Sequence, residues 1–413
     1  MKVIYDKNKQ NVPIKYWLPQ EDLIEEGALE QALNMANLPF VHKHISLMPD
    51  THQGYGVPIG GVMGLENTII PHAIGVDINC GVHAIKFNTK ASHLRKVETG
   101  SGSLGKQIAG QLMRNIPLGF NKHNEPQTDW DIDKYEIKDV WGYDQLKNEG
   151  EFENAKLQIG TLGSGNHFLE LQEDVDNGDM WGMVHSGSRH FGYAIAKIFN
   201  EKAKRLNRKW YSKIPEDWEL AFLPFNDKYG QAYYTWMNIA MDYARKNRDW
   251  MLNKVIDTVK KSFDREINKK VSVDKAIKCN HNYANLEHHF NKNVVVHRKG
   301  AIQAKDGQDG IIPGSMGSYS YIVKGKGNEQ SFKSASHGAG RRMSRNEAKR
   351  RYNTQEMMED FKNDDIVLLS QSNKDEVLDE YKKAYKNIDD VIEYQSDLIN
   401  IKNKLKTVAV VKG

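Results

Sequence analysis

The stretch GVDINCGVHAIKF, residues 75–87, sets the expectation for the whole chain. Its first half is a glycine-flanked turn that carries an acid and a thiol three residues apart, Asp77 and Cys80. Its second half, VHAIKF, is a short run of the kind that forms strands. A tight turn beside a strand can direct both side chains inward, and glycine lets a backbone come close to a bound ion. A DxxC pair alone predicts a metal site only weakly.

Histidines occupy four further segments that are rich in glycine or asparagine. They are His167 in LGSGNHFLE, His185 in HSGSRH, His281 in CNHNYANLE and His337 in SHGAGR. A thiolate, a carboxylate and three imidazoles supply enough donors for two divalent ions that share the sulfur. The soft thiolate favours zinc or iron, whereas the carboxylate and imidazoles also admit manganese. The pattern therefore predicts one metal site that folding assembles from distant segments.

The composition is typical of an ordinary globular protein. Of the 413 residues, 39% are hydrophobic and 27% are charged, and the net charge is +4. That charge permits an anionic partner without requiring one. The N-terminus lacks the apolar core of a signal peptide, and no apolar run reaches the length of a membrane span. Because two cysteines, Cys80 and Cys279, cannot form a disulfide framework, we expect a cytoplasmic, reducing setting.

Strand-like and helical patterns alternate along the chain, which predicts an α+β fold. Strand-rich regions at 46–89 and 271–322 flank a segment at 193–268 whose apolar residues recur at helical spacing. The polar stretch 120–157 indicates a surface excursion, and charged helices are expected from Lys374 to Lys406 before a terminal strand. Since the ligand motifs lie on both sides of the helical segment, a boundary there would split the site. The sequence predicts one compact catalytic domain over residues 1–413.

Two further segments suit phosphate groups. GIIPGSMGSYS, residues 310–320, offers backbone amides and hydroxyls, although it lacks the P-loop pattern and is equally compatible with a plain turn. SHGAGRRMSR, residues 336–345, sets His337 beside glycines and three arginines. An imidazole in that setting can attack phosphorus while the cations stabilise developing charge. The basic run that follows, residues 349–351, fits a solvent-exposed helix face equally well.

Taken together, these segments closely resemble the RtcB family of GTP-dependent RNA ligases. The motifs that carry the resemblance run in order along nearly the whole chain: MPDTHQGYGVPIGG, GVDINCG, LGSGNHF, HSGSR, HNY, RKGA, PGSMGSYSYIV and SHGAGRRMSR. So many ordered motifs are far more specific than a lone glycine motif. Two departures from the family pattern, His190 and His297, do not coincide with the expected ligands.

The resemblance implies an RtcB-type fold and an RNA ligase that acts in RNA splicing or repair. Such an enzyme joins a 3′-phosphate or 2′,3′-cyclic phosphate end to a 5′-hydroxyl end, using GTP and two manganese ions. The metal ligands implied are Asp77, Cys80 and His167 for one ion and Cys80, His185 and His281 for the other. His337 would attack GTP and carry GMP as a catalytic intermediate. The RNA partners implied are tRNA halves or damaged RNA, with no membrane and no activating protein identified.

The same resemblance implies the remaining site residues. The guanylate pocket would consist of Asn166, Glu170, Asn282, Pro313, Gly314, Ser315, Met316, Ser320, His337, Gly338, Ala339, Gly340 and Lys412. The residues that would face RNA phosphates or the triphosphate are Arg189, Lys299, Arg341 and Arg345. Glu170 is expected to accept hydrogen bonds from the guanine edge, which would exclude adenine.

Two other functions remain open on the residues alone. A binuclear metal phosphoesterase acting on RNA ends would use the metal site with a purely structural PGSM loop, and would need no nucleotide. A non-catalytic RNA-end binder would keep its RNA affinity without Cys80.

Overall fold

Two β-sheets packed face to face form the centre of the chain in a computed structural model that describes residues 1–371 and 375–413. The strands are β1 (Lys2–Ile4), β2 (Ile14–Tyr16), β3 (Val41–Tyr55), β4 (Val57–Leu65), β5 (Thr68–Ile69), β6 (Gly81–Lys90), β7 (Glu98–Thr99), β8 (Gly102–Ser103), β9 (Phe168–Asp174), β10 (Asp179–Ser186), β11 (Leu223–Pro224), β12 (Val273–Asn280), β13 (Tyr283–His289), β14 (Lys292–Lys299), β15 (Ala301–Gln303), β16 (Asp309–Ile312), β17 (Ser320–Gly325), β18 (Ser334–Ser336), β19 (Val367–Ser370) and β20 (Ile399–Lys412).

The helices are α1 (Glu26–Ala36), α2 (Ser92–Lys96), α3 (Leu104–Asn115), α4 (Tyr143–Asn148), α5 (Glu151–Gln158), α6 (Arg189–Lys209), α7 (Lys228–Ile267), α8 (Arg345–Arg351), α9 (Thr354–Asn363) and α10 (Ile388–Tyr394). One sheet has the strand order β1-β2-β3-β4-β14-β13. The other has the order β12-β6-β10-β9-β20-β17-β16, with β19 parallel to β20.

The alternation of side chains along each strand explains why the two sheets stack. On β6, Val82 and Ala84 face the other sheet, whereas Ile85 and Phe87 face the helices. Successive residues of a strand point to opposite faces, so an all-apolar strand needs cover on both sides. Burial of each large apolar side chain contributes about 1.5–3 kcal/mol, which makes this four-layer arrangement favourable.

Helices supply the two outer layers. Helices α3 and α7 cover the outer face of the larger sheet, where Met251 and Val255 of α7 join the same buried cluster as Ile85. Helix α1 covers the outer face of the smaller sheet through Ala28 and Ala32. Within residues 1–371 and 375–413, no helix has the length and apolar character needed to cross a bilayer.

The predicted α+β class is confirmed, and the division of the chain into a single domain stays a prediction. The predicted helical segment 193–268 corresponds to α6 and α7, which the non-helical residues 210–227 separate. The expectation of a surface excursion at 120–157 was wrong in part, because Trp130 and Phe152 are buried against α6 and α7.

The expectation of helices up to Lys406 was also wrong. Residues 399–412 form β20, which lies between β9 and β17 in the larger sheet. The first residue of that predicted helical region, Lys374, lies outside the described residues.

One buried cation on α7 ties the strand ends together. The Arg248 side chain is fully buried and donates to the carbonyls of Asn79 (2.6 Å) and Ser186 (2.9 Å) and to Asn280 Oδ1 (3.0 Å). Those three residues stand immediately before Cys80, after His185 and before His281. Hydrogen bonds to a charged donor are about twice as strong as neutral ones, so Arg248 fixes three separate segments with one side chain.

Replacing Arg248 with methionine should therefore lower the free energy of unfolding by roughly 3 kcal/mol, since buried acceptors that lose their donor cost about 1–3 kcal/mol each. Urea unfolding of the metal-free protein measures this loss. Arg245→Met, on an exposed position of the same helix, should cost less than about 0.5 kcal/mol. Equal losses in the two variants would contradict the anchoring role.

Candidate metal centre and active site

Four of the predicted metal ligands meet because four neighbouring strands end at the same edge of the larger sheet. In the strand order β12-β6-β10-β9, one transverse row is formed by Cys279, Val82, His185 and Phe168. Cys80 lies two residues before that row, just ahead of β6; His281 lies two residues after it, just beyond β12; and His167 lies one residue before it, just ahead of β9. The antiparallel register thus gathers segments that are up to 201 positions apart, from residue 80 to residue 281.

The donor atoms of these side chains are in close contact. Cys80 Sγ lies 3.3 Å from His167 Nε2 and 3.3 Å from His185 Nε2. His167 Nε2 is 3.1 Å from Asp77 Oδ2, and His185 Nε2 is 3.4 Å from His281 Nε2. Two groups with metal-ligand spacing result, one of Asp77, Cys80 and His167 and one of Cys80, His185 and His281. Cys80 belongs to both groups.

Backbone carbonyls set the tautomers of the histidines. His167 Nδ1 donates to the Leu162 carbonyl at 2.9 Å, and His185 Nδ1 donates to the Asn166 carbonyl at 3.1 Å. With a proton held on Nδ1, a neutral ring presents its Nε2 lone pair to a bound cation, whereas in the absence of one Nε2 of His167 can donate a hydrogen bond to Asp77 Oδ2. A second partner of this kind on the far ring nitrogen is typical of metal-binding histidines.

The charges of the cluster also fit a cation. Burial and the nearby Asp77 carboxylate raise the pKa of the Cys80 thiol well above its usual range. Burial lowers the pKa of His185 and of His281 well below the usual range, so both rings are neutral ligands at pH 7. A thiolate and a half-buried carboxylate within 4.8 Å of each other need a positive partner, and a divalent ion supplies one. The residues present therefore fit a metal ion.

The Asp77 carboxylate is held from its other side by the start of α6. Although burial opposes it, hydrogen bonding to His167 lowers the pKa of Asp77 to about 2. Oδ1 of Asp77 accepts from the backbone N–H of Ser188 at 2.9 Å. A Cβ atom at Gly187 would lie 2.1 Å from Oδ1, so only glycine permits this approach. The positive end of the α6 dipole reinforces the ionised form.

A second histidine system lies against the metal ligands. The His337 ring centroid is 4.6 Å from that of His281. His337 Nδ1 donates to Oδ2 of Asp50 at 2.8 Å, and the backbone N–H groups of His337 and Gly338 donate to the same oxygen. Asp50 comes from β3, beside an irregular step in its register with β4, and is fully buried. The ring is thus held with its Nε2 unprotonated in the neutral form.

A cavity of about 340 Å³ connects the two systems. The predicted residues that line it are Asp77, Cys80, Asn166, His185, His281, Asn282, Pro313, Gly314, Ser315, Met316, His337, Gly338, Ala339, Gly340, Arg341, Arg345 and Lys412. Of these, Asn282 also braces the ligand turn, since its Nδ2 donates to the Asp77 carbonyl at 3.2 Å and its Oδ1 accepts from the Gly300 N–H at 2.8 Å.

Two predicted pocket residues form a buried polar cluster in the larger sheet. Glu170 on β9 accepts hydrogen bonds from Gln172 (2.6 Å) and Thr407 (3.2 Å). The Ser320 hydroxyl on β17 accepts a hydrogen bond from the same Gln172 amide at 3.2 Å and another from the Gly314 N–H at 3.3 Å. Burial raises the pKa of Glu170 to about 7. This carboxyl therefore changes charge near neutral pH.

Sequence reasoning did not find Glu380, an acidic residue that lies close to two of the predicted arginines and to Lys412. Arg345 Nη1 lies 2.6 Å from Glu380 Oε1 and 2.6 Å from Asp379 Oδ2. Arg341 Nη1 lies 3.5 Å, and Lys412 Nζ 3.8 Å, from Glu380. These cations hold the pKa of the buried Glu380 at about 2 despite its burial. Nothing in the local sequence distinguishes Glu380 from other surface acids.

The other two predicted cations donate to protein oxygens, and of the two Lys299 is buried while Arg189 is half-buried. Arg189 donates to Thr161 Oγ1 at 3.0 Å and to the Gly119 carbonyl at 2.8 Å. Lys299 is 5% exposed and donates to the carbonyls of Tyr55 and His72, and burial lowers its pKa to about 7.

Sequence reasoning did not single out Asp50, although the motif MPDTHQG contains it. Asp50 lies 287 residues from His337, which explains why the pairing was missed. Arg248 was missed as well, because the apolar residues that recur along α7 indicated only core packing. The two departures from the family pattern are explained by contacts outside the cavity: His190 lies 3.2 Å from Glu151, and His297 accepts from the Ile70 N–H at 3.0 Å.

Comparison with known proteins gives one consistent result. A family model described as "tRNA-splicing ligase RtcB" matches residues 31–413. The chain is 36% identical over 414 residues to "RNA-splicing ligase RtcB" of Escherichia coli K12, which covers 98% of each chain.

Archaeal relatives match over a similar extent. The chain is 33% identical to "tRNA-splicing ligase RtcB" of Nanoarchaeum equitans, covering 98% of this chain and 96% of the relative. It is 32% identical to the protein of the same name from Thermococcus kodakarensis, covering 95% and 92%. The similarity therefore spans the fold and the whole candidate site.

Proposed function

This chain belongs to the RtcB family and is an RNA ligase, and from that membership we propose that it joins RNA 3′-phosphate or 2′,3′-cyclic phosphate ends to 5′-hydroxyl ends with GTP. The observation that carries the proposal is the pairing of His337 with Asp50 beside the shared-thiol metal cluster. A phosphoesterase would need the metal cluster alone. A histidine fixed by a buried acid at the wall of the same cavity is the arrangement of an activated nucleophile.

In the proposed first step, Nε2 of His337 attacks the α-phosphorus of GTP. The N–P bond forms as the bond to the pyrophosphate oxygen breaks, and pyrophosphate leaves with the electron pair. Asp50 does not take a proton in this step. It holds the Nδ1 proton and stabilises the positive charge that develops on the ring, as a buried acid does for the histidine of a catalytic triad.

In the proposed later steps, the guanylate passes from His337 to an RNA 3′-phosphate, which activates that phosphorus. The 5′-hydroxyl of the second RNA end then displaces GMP and forms the phosphodiester. A 2′,3′-cyclic phosphate is first opened to the 3′-phosphate. Substrates that present such ends include tRNA halves and damaged RNA.

Asp77, Cys80 and His167 would hold one manganese ion, and Cys80, His185 and His281 a second. Paired ions of this kind neutralise phosphate charge and orient attacking and leaving oxygens. A cytoplasmic setting is part of the proposal, because Cys80 acts as a ligand only where thiols are kept reduced.

Glu170 is proposed to read the guanine base. An ionised carboxylate can accept two hydrogen bonds from the N–H groups on the guanine edge, which adenine does not present in the same pattern. The pocket loop 313–316, the segment 337–340 and Lys412 would surround the ribose and phosphates. Arg189, Lys299, Arg341 and Arg345 are proposed to orient phosphate groups, directly or through the residues that they brace.

Guanylate transfer to the protein tests the proposal. Incubation with GTP labelled at the α-phosphate should leave acid-labile label on the wild type, and His337→Ala should abolish it because the acceptor nitrogen is gone. His190→Ala removes a histidine outside the cavity and should retain full labelling. Label that persists in His337→Ala, or ligation in GTP-free buffer, would refute the proposal.

The titration of Glu170 gives a pH signature. Its pKa of about 7 leaves the carboxyl protonated below pH 7, so the KM for GTP should fall roughly tenfold as the pH rises from 6 to 8. Glu170→Gln should abolish this dependence and weaken the preference for GTP over ATP.

Glu173→Gln is the matched control, since Glu173 lies on the same strand but pairs with Arg95 near the surface. It should keep the wild-type profile. A dependence that survives in Glu170→Gln would show that another group controls nucleotide binding.

A further inference from the structure

A second cleft opens beside the active-site cavity and is lined mainly by cations. We call it the basic groove; its volume is about 470 Å³. Its cationic lining residues are Arg342, Lys382, Lys383, Lys386 and Lys406, against the two carboxylates of Asp364 and Asp389. Such an excess of positive charge in one cleft is the electrostatic signature of an anionic ligand.

Two of the five cations are already neutralised. Lys382 Nζ lies 2.7 Å from Asp364, and Lys383 Nζ lies 2.7 Å from Glu356. Ion pairs of this kind hold the C-terminal segment against α9, so these lysines have little charge to offer a ligand.

The positive charge of Arg342 is not offset in this way. Its Nε donates to the Lys383 carbonyl at 2.8 Å, and its Nη2 meets the Tyr352 hydroxyl at 3.1 Å. Both partners are neutral, and the side chain is exposed. The adjacent Arg341 points to the opposite side, towards Glu380. The two consecutive arginines therefore lie on different surfaces: Arg341 lines the cavity and Arg342 lines the basic groove.

Lys386 and Lys406 are the remaining two cations of the groove, and the nearby carboxylates of Asp50 and Glu25 offset part of the charge of Lys386. Lys386 Nζ donates to the carbonyls of Pro49 (3.1 Å) and Thr51 (2.6 Å), on either side of Asp50. Lys406 extends into the groove from β20. Arg342 and Lys406 therefore carry most of the positive charge that the groove can offer a ligand.

The basic groove and the active-site cavity share a wall. Ser315 and Tyr385 line both. The Tyr385 hydroxyl donates to Glu380 Oε2 at 2.5 Å, and the Arg341 guanidinium lies 4.9 Å from the Tyr385 ring centroid. The Tyr385 side chain thus separates the groove from the cavity that contains His337. A chain in the groove would lead directly to that cavity.

We propose that the basic groove holds the sugar-phosphate backbone of the RNA strand whose 3′-phosphate end enters the active-site cavity, with Arg342 and Lys406 on its phosphates. This inference rests on the proposed function, which requires that end to reach His337. A polyanionic strand fits the arrangement because it can present one phosphate to each of these two cations. Phosphate contacts position a strand without reading its sequence.

The test measures binding of a single-stranded RNA with a 3′-phosphate by fluorescence anisotropy, without GTP, over a series of salt concentrations. The variant is Arg342→Gln with Lys406→Gln. Each lost phosphate contact should lower the slope of log affinity against log salt by about 0.7, and affinity should fall by a similar factor for all sequences. The KM for RNA in ligation should rise, whereas guanylate uptake should keep its wild-type rate.

Two controls separate charge from folding. Lys260→Gln removes an exposed lysine of α7 and should leave affinity and slope unchanged. Arg342→Lys with Lys406→Arg keeps both charges and should restore the wild-type slope.

The outcomes are distinct. An unchanged slope and affinity in the glutamine variant would overturn the proposal. A raised KM for GTP with unaltered RNA binding would overturn it as well, because the groove would then serve the triphosphate. A wild type that takes up no guanylate would refute the proposed function. Because RNA binding is measured without GTP, the salt slope would still show whether the groove binds the RNA strand.

Discussion

Cys80 belongs to both ligand groups because of one constraint, the register of four antiparallel strands. A shift of one residue in any of them would turn a ligand to the other face of the sheet, since side chains alternate along a strand. Arg248 opposes such a shift because it binds backbone or side-chain oxygens beside three of the ligands. The apolar layers on both faces fix the register further, as each strand must present one row to α7 and one to the smaller sheet.

Three carboxylates of the site each have a partner that stabilises the ionised form. The Asp77 carboxylate meets His167 and the start of α6, Asp50 meets His337 and two backbone N–H groups, and Glu380 meets Arg341, Arg345 and Lys412. A buried charge without such a partner would cost several kcal/mol. The exception is the thiol of Cys80, whose surroundings favour the protonated form until a cation binds.

Much of the site was predictable because its chemistry is local. Glycine and asparagine flank each metal ligand, so a tight turn and a reactive group occur together in the sequence. Sequence reasoning missed Asp50 and Glu380, which act through pairings that no local pattern indicates. Asp50 pairs with His337, 287 positions away, and Glu380 pairs with Arg341 and Arg345, 39 and 35 positions away. The terminal strand after Lys406 was predicted, but the first part of β20, residues 399–406, was missed for a different reason. Its alternation of Ile399, Ile401 and Leu405 is a strand signal, but the lysines and asparagines between them resemble a charged helix.

The proposed chemistry depends on one thiolate, that of Cys80, which would be shared by two ions. Crystals grown with manganese and measured by anomalous diffraction test this most directly. Two peaks about 4 Å apart, both in contact with Cys80 Sγ, are expected in the wild type and in Cys279→Ala, and both should be lost or nearly so in Cys80→Ala. A single ion, or two ions that remain at full occupancy in Cys80→Ala, would contradict the account.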